Sequence, residues 1–410
     1  MKKFTVVDLF AGCGGLSEGF EKSKVFDLVS YVEWEKAPCK TLVHRLQKKW
    51  KRKNAVERVL RFDIQKTKEV ISGWENDTCF GSGNGLKSTI YPRKTVDIII
   101  GGPPCQAYSI AGRVRDENGM RLDYRNYLFE SYIEIVKHFS PKLILFENVA
   151  GMLSAKPEGF RIIDKIKDEF DKAGYEILND LKKTIVDFSE YGIPQNRKRL
   201  IIIGLRKTRQ RNNQKLLEIF YEDILTSFKV HKKCTVQNAI GDLPKLYPVS
   251  TKNIKKKGRR YSHKPYTTEI SSHFPRYHSE RDIGIFRDLA KDILSGAERF
   301  ASVKALQKFY TERTGKSSSV HKYYVLRKDK PSNLIPAHLY KDGLRHIHPD
   351  PKQARSITVR EAARLQGFPD DFEFLGSMTD QYKMIGNAVP PKFSDIIARS
   401  LLKLMKLIKT

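Results

Sequence analysis

In the first half of the chain, short runs of mostly apolar residues alternate with segments whose apolar residues recur at helical spacing. Buried strands are predicted at Phe4–Phe10, Leu28–Val32, Val96–Ile100, Lys142–Phe146 and Leu200–Ile203. Helices are predicted between them, over residues 36–50, 126–139 and 158–173. Strands that alternate with helices build a mostly parallel sheet with helices on both faces. The pattern therefore predicts an α/β fold of the Rossmann-like, nucleotide-binding type.

Residues 206–350 depart from this pattern. Their periodicity is poor, and residues 206–265 carry 16 Lys and Arg against four acids. A run of charge is usually a solvated face, but aromatic residues interleave with the cations here, which favours contact with nucleic acid. We predict a smaller, irregular basic domain over 206–350 and a first domain formed by 1–205 and 351–410. Residues 72–94 are rich in Gly, Ser and Asn and are predicted to be a loop.

The regular pattern returns near the C-terminus. Thr358 is predicted to cap a short helix, with Glu361 three residues later as in a capping box. Gly367 then ends that helix. The final helix has an apolar stripe on one face, formed by Ile397, Leu401, Leu404 and Ile408.

Charge and cysteine usage narrow the class of protein. The net charge of +29 favours a polyanionic partner, with nucleic acid first and a membrane surface second. No stretch approaches 18 apolar residues and no signal peptide is recognised, so we expect no membrane and a bacterial-type cytoplasmic location. Five cysteines without CxxC spacing fit neither a disulfide framework nor a zinc site. The histidines match no ligand spacing either, and we expect no metal.

A glycine turn follows the first predicted strand. Gly12 and Gly14 lie in it, and the next strand ends at Glu33-Trp34. An acid at this position commonly binds a ribose diol, and Trp34 is suited to stack on an adenine. The glycines lack the GxGxxG spacing, which favours an adenosyl ligand without a pyrophosphate over NAD. Asp63-Ile64 is a weaker candidate contact to the adenine.

Cys105 follows the strand Val96–Ile100 on the stretch Gly101-Gly102-Pro103-Pro104. The two prolines preset its backbone, although a single cysteine at a strand end is also typical of a packed core. Glu147 follows the next strand and would share that edge if the strands are parallel. Arg197 and Arg199 alternate on an extended segment suited to clamping an anion, although a basic edge strand has the same pattern. Residues 111–121 suit a loop that closes over a partner.

Together these stretches resemble the DNA (cytosine-5) methyltransferase family of bacterial restriction–modification systems. DLFAGCGGLSEGF is similar to the family's adenosylmethionine loop, and GGPPCQAYS is similar to its nucleophile motif. ENV, QNRKR, RSITVREAARLQGFPDDF and IGNAVPP follow in the family's order. The likeness covers residues 5–205 and 355–392. The basic segment between them lies where the family keeps its target recognition domain.

The resemblance implies a role for each matched residue. Cys105 would be the nucleophile, Glu147 the acid at the cytosine ring, and Arg197 and Arg199 supports for the base and the active site. S-adenosylmethionine would be bound by Phe10, Gly12, Gly14, Leu16, Glu33, Trp34, Pro103 and Asn387. Asp63 and Ile64 fit the family's pattern less well as cofactor contacts.

The chemistry that the family performs explains these residue types. A thiolate that adds to C6 of cytosine makes C5 nucleophilic enough to accept a methyl group. An acid near N3 draws electron density into the ring. Because a stacked base is out of reach, the cytosine must be flipped out of the duplex. We therefore expect a site-specific DNA cytosine-5 methyltransferase with double-stranded DNA as partner, acting as a monomer beside a cognate restriction endonuclease.

Three alternatives remain open. An RNA cytosine-5 methyltransferase would use the same pocket, although the large basic segment favours DNA. A DNA-binding module without catalysis is opposed by the intact Cys105, Glu147 and glycine turn. A NAD enzyme is disfavoured by the glycine spacing.

Overall fold

The computed structural model divides the chain into two compact units. Unit 1 comprises Met1–Tyr191, Lys198–Val230 and Ala388–Thr410, and unit 2 comprises Gly192–Arg197 and His231–Asn387. The residues that the structure describes are 3–91, 95–104, 128–156, 159–249, 254–256, 259–264, 270–318 and 323–409.

Strands among the described residues are numbered β1 to β12 in chain order. In unit 1 they are β1 Phe4–Leu9, β2 Phe26–Glu33, β3 Val59–Arg61, β4 Trp74–Asp77, β5 Gly81–Gly83, β6 Ile98–Gly101, β7 Leu143–Val149, β8 Tyr175–Ile177, β9 Ile185–Asp187 and β10 Lys198–Arg206. In unit 2 they are β11 Ile254–Lys256 and β12 Arg259–Tyr261.

Helices are numbered α1 to α14 in the same way among the described residues. Those of unit 1 are α1 Ser17–Lys22, α2 Lys36–Lys48, α3 Ala55–Arg58, α4 Thr67–Ser72, α5 Leu86–Ile90, α6 Leu128–Phe139, α7 Ile162–Lys172, α8 Asn213–Ile219 and α14 Pro391–Lys409. Those of unit 2 are α9 Val236–Ile240, α10 Glu280–Ser295, α11 Val303–Thr314, α12 Val359–Leu365 and α13 Met378–Asn387.

An eight-stranded sheet organises unit 1. Its order is β3-β2-β1-β6-β7-β10-β8, with β9 paired to β10. The five strands from β3 to β7 run parallel, whereas β10 is antiparallel to its three neighbours. This is the α/β, Rossmann-like architecture that the sequence predicts. Because the central strands are parallel, their carboxyl ends meet at one edge.

The core of unit 1 follows from strands that are apolar on both faces. All six residues of β1 are buried, as expected when helices cover both sides of a sheet. Tyr132 of α6 is fully buried, and its hydroxyl donates to the carbonyls of Ile99 and Leu145 at 3.1 and 3.0 Å. That hydroxyl is satisfied at the sheet, so burying it costs little.

Several predicted elements are confirmed. The Thr358–Glu361 capping box precedes α12 with both of its hydrogen bonds formed. Three of the four predicted stripe residues of the last helix, Ile397, Leu401 and Leu404, are fully buried.

One prediction was wrong. Residues 72–94 contain β4, β5 and α5 rather than only loop. These elements are short and separated by glycines, which weakens the periodicity on which that expectation depended. The segment 206–350 also contains the 16-residue helix α10.

The boundaries of the units differ from those of the predicted domains. Residues 206–230 lie in unit 1 with the sheet, and residues 351–387 lie in unit 2. Unit 2 has its own apolar cluster, which includes Phe286, Leu289 and Ile347. Within the described ranges, no helix combines the length and apolarity needed to cross a membrane.

Candidate active site

A strained turn follows β1 at the carboxyl edge of the sheet. Phe10, Gly12 and Gly14 have φ values of 61°, 56° and 92°. Glycine adopts this region freely, whereas an aromatic residue is strained in it, and such strain is characteristic of functional sites. The amide of Ala11 donates to the carbonyl of Val32 at 3.0 Å, which fixes the turn against β2.

Glu33 at the end of β2 holds this turn closed. Its Oε2 accepts the amide of Gly12 at 2.8 Å, and its Oε1 accepts the amides of Trp34 and Glu35 at 2.9 and 2.8 Å. Each carboxylate oxygen has about two acceptor sites, so Oε2 retains one. Oε2 could accept one further donor, such as a ribose hydroxyl. A ribose diol would donate two hydrogen bonds to the carboxylate of Glu33. If each oxygen accepts one of them, Oε1 must first release one of its two backbone amides.

The other predicted cofactor residues of this region surround the turn. Trp34 is 48% exposed, which leaves its ring accessible for stacking, and Leu16 is buried. The amide of Phe62 donates to the carbonyl of Glu33 at 3.1 Å. Asp63 and Ile64 therefore follow β3 directly beside the end of β2, and the carboxylate of Asp63 accepts the amide of Gln65 at 3.0 Å.

Glu147 lies beside the stretch that leads to Cys105. A Cβ atom added to Gly102 would approach Oε2 of Glu147 to 2.8 Å. The side-chain amide of Asn148 donates to the carbonyl of Pro103 at 3.3 Å. β6 and β7 are parallel neighbours, so the backbone before Cys105 and the carboxyl group of Glu147 share one edge. Cys105 itself, like residues 111–121, lies outside the described residues.

Arg199 contacts the same carboxyl group. Its Nε lies 3.1 Å from Oε1 of Glu147, and both side chains are nearly buried, at 10% and 12% exposure. The contact follows from the sheet register, because Ile201 of β10 pairs with Glu147 and places Arg199 two residues away on the same face. A guanidinium in this position fixes the orientation of the carboxyl group.

Arg197 makes different contacts from Arg199. Its side chain is 2% exposed in unit 2, where Nη1 and Nη2 donate to the carbonyls of Ile335 and Gly386 at 3.2 and 3.1 Å. These bonds hold the backbone next to Asn387, the exposed last residue of α13. Arg197 and Arg199 therefore belong to separate units, although they are two residues apart.

Two residues of this site were missed at the sequence level. Gly102 allows the close approach of Glu147, and Asn148 ties β7 to Pro103. Both lie within stretches that the sequence singles out, GGPPC and ENV, but a motif does not say which of its residues touch one another.

The histidines of unit 2 that the structure describes do not form a metal-binding cluster. His273, His278, His346 and His348 are buried in unit 2 and bonded to backbone or side-chain groups. Across the described ranges, no group of three or more His, Cys, Asp or Glu residues is arranged to hold a metal ion.

Comparison with known proteins identifies relatives along the whole chain. Residues 4–403 match the model of the family described as C-5 cytosine-specific DNA methylase. Type II methyltransferase M.Bpa9945I of Bacillus paralicheniformis is 34% identical, with 97% of this chain and 98% of the relative covered. Type II methyltransferase M.NgoPII of Neisseria gonorrhoeae is 30% identical, with 98% of this chain and 96% of the relative covered.

Solved structures share the fold. The Dnmt2 methyltransferase of S. pombe has a TM-score of 0.53 at 14% identity, with all of both chains covered. A prophage-encoded protein of E. coli, assigned as a DNA modification methyltransferase, has a TM-score of 0.63 at 24% identity and covers 98% of this chain and 100% of its own.

Proposed function

Because the chain belongs to the C-5 cytosine-specific DNA methylase family, we propose that it methylates C5 of one cytosine in a specific sequence of duplex DNA, with S-adenosylmethionine as the methyl donor. The observation that carries this proposal is the Glu147–Arg199 pair beside Gly102 and Pro103. It gathers an acid, a cation and the approach to Cys105 at one edge. Relatives named as type II methyltransferases support a role in a restriction–modification system.

Cys105 is the proposed nucleophile. Its thiolate forms a bond from Sγ to C6 of the cytosine, which places electron density on C5. After C5 carries the methyl group, a base such as water takes the C5 proton. The C5–H electron pair re-forms the C5=C6 double bond, and the Sγ–C6 bond breaks to release the thiolate. A free cysteine has a pKa of about 8.5, so a nearby cation assists the ionisation that the attack requires.

Glu147 is the proposed acid. A proton shared between its carboxyl group and N3 of the cytosine lets the ring accept the electron pair from Cys105. Arg199 at 3.1 Å orients that carboxyl group towards Gly102 and prevents it from rotating into solvent. Arg197 acts indirectly, through the backbone carbonyls that it holds.

The glycine turn is the proposed donor site. S-adenosylmethionine supplies an electrophilic methyl group on a sulfonium when it is bound. The remaining acceptor site on Oε2 of Glu33 and the exposed ring of Trp34 fit a ribose and an adenine, respectively. Phe10, Gly12, Gly14 and Leu16 shape the turn against which the donor lies.

The DNA partner must present an unstacked base, because no side chain reaches C6 inside a duplex. The cations of residues 206–350 are proposed to hold the phosphates, while other side chains of that segment read the base edges. We also propose that the enzyme acts as a monomer. Its partner would be a cognate endonuclease that cuts the same sequence when it is unmethylated.

Bisulfite sequencing of DNA from cells that express the protein tests this function. We expect protected cytosines in one recurring sequence, and none in cells that express Cys105→Ala. Protection that survives this substitution would remove Cys105 from the mechanism. Absence of any protected cytosine with the wild-type chain would contradict DNA methylation itself.

Methyl transfer to purified substrates separates DNA from RNA. With labelled donor, duplex DNA is expected to accept methyl groups and transfer RNA is not. The reverse result would identify an RNA cytosine-5 methyltransferase that uses the same pocket.

A further inference from the structure

Two polar side chains are buried near the glycine turn. Asp8 of β1 and Ser17 of α1 are each 1% exposed. Among the residues that the structure describes, no group meets normal hydrogen-bond distance and angles with the carboxyl oxygens of Asp8 or with Oγ of Ser17. The two acids of α1 form ion pairs, Glu18 with Arg45 and Glu21 with Arg52. An unsatisfied buried carboxyl group in a native fold indicates a function or an unseen partner.

The surroundings of Asp8 favour its neutral form. Burial raises the pKa of its carboxyl group to about 8; the nearby Ser17 hydroxyl acts in the opposite direction, and the charge of Glu33 adds to the rise. Tyr31, its register partner on β2, and Tyr132 of α6 also face it, and burial raises the pKa of each phenol well above its usual value. No Lys or Arg in the described part of the chain forms an ion pair with Asp8.

The position of Asp8 links it to the donor site. It lies two residues before Phe10, and both the Ser17 hydroxyl and Glu33 act on its carboxyl group. Oγ of Ser17 would lie 3.4 Å from a Cβ atom added to Gly14 of the turn. The donor carries a sulfonium, whereas the thioether that remains after methyl transfer is uncharged at that atom. A cation beside a buried acid favours the ionised acid, and an uncharged sulfur does not.

We propose that Asp8 ionises when the cationic donor binds at the glycine turn and remains protonated when the neutral thioether product is bound. Donor binding then releases the carboxyl proton to solvent, and the proton returns when the sulfonium charge is lost. The charge of Asp8 therefore raises the affinity for the donor relative to the affinity for the product. This inference rests on the proposed donor site.

The sign of the pH dependence follows from linkage. Because the bound donor lowers the pKa of Asp8 below its value in the free protein, donor affinity rises with pH and levels off above about pH 8. Product affinity gains nothing from this ionisation. The preference for donor over product therefore increases between about pH 6.5 and pH 8.

Titration calorimetry of the wild-type chain and Asp8→Asn tests the inference. S-adenosylmethionine and S-adenosylhomocysteine are titrated between pH 6.5 and 8.5 in buffers of different ionisation enthalpy, which reports the protons released. We expect the wild-type preference for the donor to grow roughly three- to tenfold over this range, since one pKa unit of coupling is a factor of ten in affinity. Asp8→Asn should lack both this growth and the proton release. Comparing the two proteins at each pH cancels titration of the ligands themselves.

Asp27→Asn is the matched control. Asp27 is a buried acid near the start of β2, and its carboxylate is paired with Arg52 and Arg58. Its loss should lower stability without altering the pH profile of the donor preference. Ser17→Ala serves as a second variant if Asp8→Asn does not fold; removing the hydroxyl that lowers the pKa of Asp8 should move the profile to higher pH.

The same titrations separate this inference from the proposed function. A pH profile in Asp8→Asn equal to that of the wild-type chain would overturn the role of Asp8. Failure of both ligands to bind the wild-type chain at any pH would instead contradict the proposed donor site.

Discussion

At the scale of single residues, the proposed chemistry would depend on a few close contacts at one sheet edge. Gly102 has no side chain where Glu147 needs room, and Arg199 fixes the carboxyl group that fills that room. Sub-ångström placement of such groups has large effects on rate. Residue-level predictions therefore concern rates more than stability.

Glu147→Gln should slow methyl transfer by about 10²- to 10⁴-fold, because an amide cannot share a proton with N3 as a carboxyl group does. Donor affinity should be unchanged, since Glu147 lies on β7 rather than at the glycine turn. Single-turnover kinetics and donor titration measure the two quantities. Glu130→Gln, which removes an exposed ion pair with Lys165, is the control. A loss confined to donor affinity would be incompatible with the role of Glu147.

Gly102→Ala should reduce turnover by about 10- to 100-fold while the fold is retained. Its Cβ would lie 2.8 Å from Oε2 of Glu147, and the carboxyl group must move away. Turnover with saturating donor measures this effect. Gly284→Ala provides the matched control, because no atom of the described residues lies within 4 Å of the added atom there. Equal turnover in wild type and Gly102→Ala would show that the position of Glu147 is not critical.

At the scale of elements, α1 depends on the last helix for its position. Gly15 and Gly19, four residues apart, face the N-terminal end of α14, where a Cβ on Gly19 would approach the backbone of Ser394 to 2.2 Å. The amide of Gly19 donates to Oγ of Ser394 at 2.9 Å, and that hydroxyl donates to the carbonyl of Leu16. The end of the chain thus supports the turn at its beginning.

Gly19→Ala should destabilise the protein by about 1–3 kcal/mol or more, because two backbones cannot separate without loss of packing. Ser394→Ala should cost about 1 kcal/mol, since it removes hydrogen bonds but leaves the close contact. Urea unfolding of both variants measures the difference. If Gly19→Ala were as stable as wild type, the contact between α1 and α14 would not be close-packed.

At the scale of the whole molecule, unit 2 contains a buried ion pair and several buried histidines. Arg355 donates to both carboxylate oxygens of Glu361 at 2.7 Å, and the charge of Arg355 helps to hold the pKa of Glu361 far below its usual value against the effect of burial. Burial lowers the pKa of His263 to about 4 and that of His346 to about 3. These groups make unit 2 sensitive to acid.

The stability of unit 2 should fall as pH drops below about 6.5. A buried neutral histidine takes up protons only on unfolding, so stability is fully present above its unfolded pKa and declines towards its folded pKa of 3 to 4. Glu361 acts in the same direction below about pH 4.5. Hydrogen exchange of residues 346–365 at pH 8, 6 and 5 measures the loss. His231→Gln, at an exposed position, should not alter it. Exchange protection that is constant from pH 8 to 5 would contradict buried neutral histidines.

The sequence by itself determined five strands of the main sheet, β1, β2, β6, β7 and β10, and the helices α2, α6, α7, α12 and α14. Apolar runs specify buried strands, and local signals such as Thr358 and Glu361 specify helix ends, because both depend on neighbours along the chain. The family motifs likewise made Glu33, Cys105 and Glu147 candidates for the chemistry from the sequence alone. These features can be predicted from the sequence because they depend on residues that are close together along the chain.

Only the tertiary structure decided which of those residues touch. It separated Arg197 from Arg199, assigned residues 351–387 to unit 2, and brought Gly102, Glu147 and Arg199 together. It also showed that Asp8 is buried and that no described Lys or Arg forms an ion pair with it, which the apolar pattern of β1 does not reveal. Such facts depend on sheet order and register between distant segments, and a periodic pattern within one segment carries no information about either.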